Sequence, residues 1–169
     1  VKEGTDQHLL LLLNFAKSYQ KQGKTTESLT YFGELQSNIK PQSSQNILAE
    51  VYYQRGFTHL GASQFSDALA DFQKSEKSYK SLGRQREVTQ SQMAQANVLI
   101  SLGKIIDAEK IYLSLLTSTT QDAGTMGDVS NALAFLYSEL GQYNKALTYS
   151  ESAEASYKEA KQQVELQKS

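Results

Sequence analysis

The chain has 169 residues, of which 39% are hydrophobic and 21% charged, enough for one domain with a sizeable core or one array of small repeats. Seventeen Lys and Arg against 18 Asp and Glu leave a net charge of −1, which lacks the electrostatic footprint of a nucleic-acid or membrane-surface binder. The absence of cysteine excludes disulfides, thiolate zinc sites and a cysteine nucleophile, and no apolar run, Leu9–Leu13 included, exceeds six residues, far short of the roughly 20 that cross a bilayer.

Apolar residues recur with the helical period, and no segment alternates strictly as a half-buried strand would. The pattern predicts eight helices in chain order, at 6–22, 25–39, 43–61, 65–82, 85–102, 104–119, 125–140 and 142–160. Ser43 or Ser44, Ser66 and Thr125 read as N-caps, and Gly83 as a C-cap. Gly23, Gly103 and Gly141 fall where a first helix must end in a left-handed turn. The stretch Gly124–Gly127 reads as a loop between repeats.

These segments pair into four copies of one unit. A small residue opens the second helix of each, at Ser28, Ala68, Ala108 and Ala146, with spacings of 40, 40 and 38 residues. Twelve residues upstream stand Ala16, Gly56, Ala96 and Ala134, and three further on Tyr19, His59, Leu99 and Tyr137. Four residues after each anchor come Phe32, Phe72, Tyr112 and, as a poorer match, Ser150. Small residues in two columns let two helices approach closely, and the bulky columns fill the remaining space. Each unit is thus a helix–turn–helix hairpin.

These columns resemble the tetratricopeptide repeat over about residues 6–160. The best-matching unit has Tyr52, Gly56, His59, Ala68 and Phe72, and the fourth has Leu133, Ala134, Tyr137, Gly141, Tyr143 and Ala146. The resemblance implies an all-α, right-handed α-solenoid of four hairpins, approximately 6–40, 43–82, 85–120 and 125–160, forming a single domain over 1–169. The period exceeds the usual 34 residues or so. The closing proline survives only as Pro41, and Arg55, Gln92 and Gln95 occupy columns that are usually apolar. Ser156-Tyr157-Lys158 repeats Ser78-Tyr79-Lys80, so residues 161–169 align with the start of a fifth helix pair. They read either as a short polar cap or, as Val1 also suggests, as the stub of a longer protein, with the stub expected.

Catalytic chemistry is not expected. His8 and His59 lie in different units without a carboxylate or second histidine four residues on, no phosphate-binding glycine loop or serine elbow occurs, and no metal or cofactor is implied. A basic run, Lys74, Lys77, Lys80, Arg84 and Arg86, reads as a solvated outer face or as a docking patch for an acidic partner.

The resemblance also implies where binding occurs, on a concave wall lined by the first helix of each unit. Its candidate residues are Asn14, Lys17 and Lys21, then Tyr53, Gln54 and Phe57, then Met93, Asn97 and Ile100, then Asn131 and Phe135. The apolar members suit an extended segment or an amphipathic helix of a partner protein; a tight superhelix that covers its own wall is the alternative. Co-chaperone repeats that hold a C-terminal carboxylate place Lys, Asn and Arg where this chain has Leu13, Lys17, Gln54, Gln90 and Ala94, so that clamp is missing and a chaperone-tail role is not expected. The expected function is non-catalytic protein or peptide binding within a larger regulatory or scaffold protein. The alternative is a ligand- or peptide-sensing domain of a signalling protein such as a sensor kinase. Neither nucleic acid nor membrane insertion is expected, self-assembly by end stacking is open, and the cytoplasm is expected ahead of an extracytoplasmic compartment.

Overall fold

The computed structural model describes residues 6–39, 45–118 and 122–166, and among them all regular structure is helical. The helices are α1 (Asp6–Lys21), α2 (Thr25–Asn38), α3 (Gln45–Gly61), α4 (Phe65–Ser81), α5 (Gln85–Ser101), α6 (Ile105–Leu116), α7 (Ala123–Glu139) and α8 (Tyr143–Leu166). They fall into two compact units, Val1–Gly103 with α1 to α5, and Lys104–Ser169 with α6 to α8.

The hairpin turns follow one rule. After α1, the N–H of Lys24 bonds the Tyr19 carbonyl at 3.0 Å and that of Gly23 bonds Gln20 at 3.0 Å, which is a Schellman closure. The same pair closes α3 at Gln64 and Ser63, α4 at Arg84 and Gly83, and α7 at Gln142 and Gly141. The residue in the left-handed region is Gly23, Gly83, Gly103 or Gly141, with φ between 69° and 73°; at α3 it is Ser63, with φ 59°. The next helix starts immediately after the closure, which leaves no place for a serine cap. Ser66 therefore lies inside α4, and the residue preceding that helix is Gln64, without a side-chain cap bond. Ser43, Ser44 and Pro41 lie outside the described residues.

In the first unit, Leu9, Leu12, Leu13 and Ala16 of α1 bury against Phe32 and Leu35 of α2 and Val51 of α3. Ala68, Phe72, Ala94 and Val98 form the next layer, with Tyr53, Leu60, Phe65 and Leu69 packed on it. The small columns are buried except at Ala146, which is half-buried, and Gly56 has no room for a side chain: a Cβ there would lie 2.8 Å from the Phe72 ring. Ser28 uses its buried hydroxyl to bond the Ala16 carbonyl at 3.0 Å, and Ser75 bonds that of Ala49 at 3.2 Å.

In the second unit, Val129, Leu133, Leu136 and Tyr137 of α7 are buried, whereas α8 buries Ala153 alone among its described residues. Two expectations are corrected here. Gly124–Gly127 is not a loop but the first turn of α7, and Thr125 is not its cap. Asp122 caps it instead, accepting from the Thr125 N–H at 2.9 Å and from the Thr125 hydroxyl at 2.9 Å. Gly127 is a packing glycine, since a Cβ would lie 2.6 Å from the Tyr157 ring. The other difference is at the far end, where α8 runs unbroken through 160 to Leu166. Ser150 is exposed, in the column where Phe32, Phe72 and Tyr112 are fully buried.

Candidate functional site

Three helices of the first unit meet at one carboxylate. Glu50 of α3 pairs with Lys17 of α1 at 3.1 Å and accepts from Gln54 Nε2 at 2.8 Å. Its other oxygen accepts from the Tyr79 hydroxyl of α4 at 2.9 Å. Gln20 of α1 adds a bond to the Gln54 carbonyl at 2.8 Å. Two expected wall residues, Lys17 and Gln54, are thus brought together, but by an acid that neutralises the basic start of the wall. Partners 29 to 34 residues apart meet only once the hairpins pack, so Tyr79 carried no local signal.

Burial alone would push the Glu50 carboxyl up, but the bonds from Gln54, Lys17 and Tyr79, with the Lys17 charge, hold it below its ordinary value. A folded value below the unfolded one means the knot contributes stability above the unfolded value of 4.5, and loses it as pH falls through the lower folded value. Urea midpoints measured across that acid range should therefore drop more steeply for the wild type than for Glu50→Gln. Parallel curves would show that the knot adds nothing to stability.

Beside it lies an aromatic cluster. Tyr53 and Phe57 contact edge to face at 5.1 Å, and both meet the buried Phe72, at 5.9 Å and 4.9 Å. Phe57 is 37% exposed, and Tyr53 is half-buried, its hydroxyl pushed up to about 12 by burial and by Glu50. Met93 and Ile100 are half-buried on α5, and Asn97 is exposed. Asn14 and Lys21 are exposed on α1. Asn131 and Phe135 are exposed on α7 of the second unit.

The polar residues in apolar columns form a second feature. Arg55 makes a two-pronged bond to Asp71, at 2.6 and 2.8 Å, and reaches back from α3 to Gln36 of α2 at 2.6 Å. One junction later, Glu76 of α4 accepts from Gln92 at 2.8 Å and Gln95 at 2.6 Å on α5. The α2–α3 and α4–α5 junctions are therefore bridged by side-chain hydrogen bonds. His59 belongs to the same region: it bonds Gln64 at 2.6 Å and stands 3.7 Å from Asp71. Tyr19 with Tyr31, and Tyr137 with Tyr149, fill the equivalent place as stacked rings, both at 5.4 Å. In the basic run, Lys74 reaches Asp71 at 3.9 Å and Arg84 pairs with Glu87, while Lys77, Lys80 and Arg86 are exposed. No described helix is long and apolar enough to cross a membrane.

No protein-family model matches the sequence, and no curated protein matches it significantly. Solved structures do share its fold. Aspartyl phosphate phosphatase F from Bacillus subtilis superposes with a TM-score of 0.81 at 15% identity, over 95% of this chain and 42% of that one. A kinesin light chain-type protein of Podosopora anserina, with nearly identical TPR-like repeats, superposes at 0.72 and 15% identity, over 95% of this chain and 80% of that one. MamA superposes at 0.65 and 15% identity, over 91% and 81%. The chain spans less than half the length of the phosphatase. At these identities the likeness establishes the fold, that of tetratricopeptide-like repeats.

Proposed function

From a tetratricopeptide-like fold carrying this wall, we propose that the chain is a non-catalytic module that binds a peptide or helix of a partner protein on the first-helix face of its first unit. One observation carries the reading: Phe57 keeps 37% of its surface exposed while Tyr53 and Phe72 hold its ring edge-on. An aromatic ring kept rigid at the surface loses little entropy on contact, the property of an interface anchor. Tyr53 extends the patch, and the neutralised Lys17–Glu50 pair beside it favours an uncharged segment over an acidic tail. The missing carboxylate clamp agrees, and the lysine that stands at one of its positions, Lys17, is already paired with Glu50. A role inside a larger regulatory or scaffold protein is part of the same proposal.

Photo-crosslinking tests it. A photoreactive phenylalanine at position 57 should capture the partner in cells, and one at position 77 on the basic run should not. With the captured segment in a calorimeter, Phe57→Ala should weaken binding by about 2 kcal/mol with helicity unchanged. Capture at 77 alone would move the site to the basic run, and unchanged affinity in Phe57→Ala would remove the anchor.

A further inference from the structure

Glu50 and Phe57 lie on one face of α3, two turns apart, so the carboxylate of the knot stands about 10 Å along the wall from the exposed ring. Tyr53 lies between them, its hydroxyl raised by burial and by the Glu50 charge. The knot is not sealed off: the Lys17 side chain is 36% exposed and that of Glu50 30%. Nor can the carboxylate step aside, because Gln54 holds one oxygen from its own helix and Tyr79 the other from α4. Gln20 ties α1 to α3 beside it, on the Gln54 carbonyl. A lysine ammonium has three N–H donors, and Lys17 gives one to Glu50. A partner's carboxylate on either of the others would lie about 4–5 Å from that of Glu50, the separation of two acceptors on one ammonium. Like charges at that distance repel.

We propose that Glu50 is the specificity-determining residue of the wall, an internal carboxylate that fills Lys17 and shuts out partner segments carrying Asp or Glu at that point. The proposal rests on the Phe57-anchored reading given above and adds the residue that decides which segments fit. Its position relative to the anchor fixes where the exclusion falls. An extended segment advances about 3.3 Å per residue, so the excluded place is about three residues from the one seated on Phe57, toward the start of α3. In a helix lying along α3 it is about seven residues away, or two turns. Removing the Glu50 charge alone reverses the preference. Lys17 is then free, Lys21 stands exposed one turn further along α1, and the exposed Asn14 amide lies one turn before. The same wall would then take acidic segments.

A phage-displayed library of random dodecapeptides, selected on the 169-residue chain and on its Glu50→Gln variant, tests the assignment. Glutamine keeps the side chain's shape and one oxygen for the Lys17 and Tyr79 donors, so circular dichroism should be unchanged. Only peptides whose binding falls in Phe57→Ala are counted, because these lie on the wall. Those selected by the wild type should be poor in Asp and Glu, and those selected by Glu50→Gln rich in them. Adding Lys17→Met to Glu50→Gln should abolish that enrichment. For a synthetic pair that differs by Gln or Glu at the enriched position, the wild type should prefer Gln by about tenfold, and Glu50→Gln should prefer Glu. Equal acid content in the two Phe57-dependent pools, or the same preference within the pair, would overturn the proposal and leave the Phe57 anchor standing. Peptides that bind Phe57→Ala undiminished would instead overturn the anchor, and the proposal with it. Where Glu50→Gln loses helicity, Lys17→Met alone carries the test with the opposite sign: its Phe57-dependent pool should gain Lys and Arg, and an unchanged pool would overturn the assignment.

Discussion

Arg55→Ala is expected to lower stability by about 3 kcal/mol, read as the change in urea unfolding followed by helical circular dichroism. The reason lies in Asp71, whose side chain is only 4% exposed. Its carboxylate is held by both prongs of the Arg55 guanidinium, at 2.6 and 2.8 Å, while His59 and Lys74 stand farther off at 3.7 and 3.9 Å. Removing the arginine strands a buried charge with only these distant partners, and the loss comes mainly from that charge rather than from the lost bond. Two companions check the cause. Arg55→Lys should recover little, because a single ammonium cannot make the forked contact or reach Gln36 at the same time. Adding Asp71→Asn to Arg55→Ala should recover much of the loss by removing the stranded charge. A loss below about 1 kcal/mol would place the pair among ordinary surface contacts.

Phe72→Ala should cost about 3–5 kcal/mol, the range for emptying a core aromatic site. The ring is fully buried, is braced by Tyr53 and Phe57, and lies over Gly56. Gly56 supplies a sharper form of the test. In the wild type, Gly56→Ala should destabilise, because the new methyl would lie 2.8 Å from a ring with no free space to retreat into. In the Phe72→Ala background the same substitution should stabilise, since the clash is gone and alanine is the better helix former by roughly 1 kcal/mol. A change of sign is expected; the same sign in both backgrounds would mean that the ring and the glycine are not in the assigned contact. Phe72→Ala also withdraws the support of Phe57, so it should weaken partner binding even where the fold survives.

The hairpins were legible in the sequence because their rule is local. A small anchor, a second small residue 12 positions upstream and a left-handed turn residue between them can be read along the chain. Even Ser63 was found in the glycine column, and its φ is positive there. The errors arose where a tertiary contact gave a residue another purpose. Gly124 and Gly127 looked like loop residues, yet Gly127 is required by the Tyr157 ring and Asp122 starts the helix before both. Arg55, Gln92 and Gln95 looked like departures from the repeat pattern because their partners lie 16 to 19 residues away on neighbouring helices. The wall was legible as a set of columns but not as chemistry. Only packing could reveal that Glu50 neutralises Lys17 and that Phe57 leans on Phe72.

The hydrogen bonds at these seams carry a consequence for how such a chain can change. Purely apolar seams would make hairpins interchangeable, so that copies could be deleted, duplicated or reordered by recombination. In the first unit the two seams have different complements: a guanidinium faces an amide between α2 and α3, and a carboxylate faces two amides between α4 and α5. Excising α3 and α4 would set Gln36 opposite Gln92 and Gln95, with no carboxylate to gather them, and would take Glu50 away from Lys17. Duplicating them would set Glu76 opposite a second Arg55, a carboxylate facing a guanidinium, which closes the new seam with opposite charges. These two seams are thereby directional: a copy of α3 and α4 can be added with its polar groups matched, whereas their loss leaves amides and Lys17 without a carboxylate.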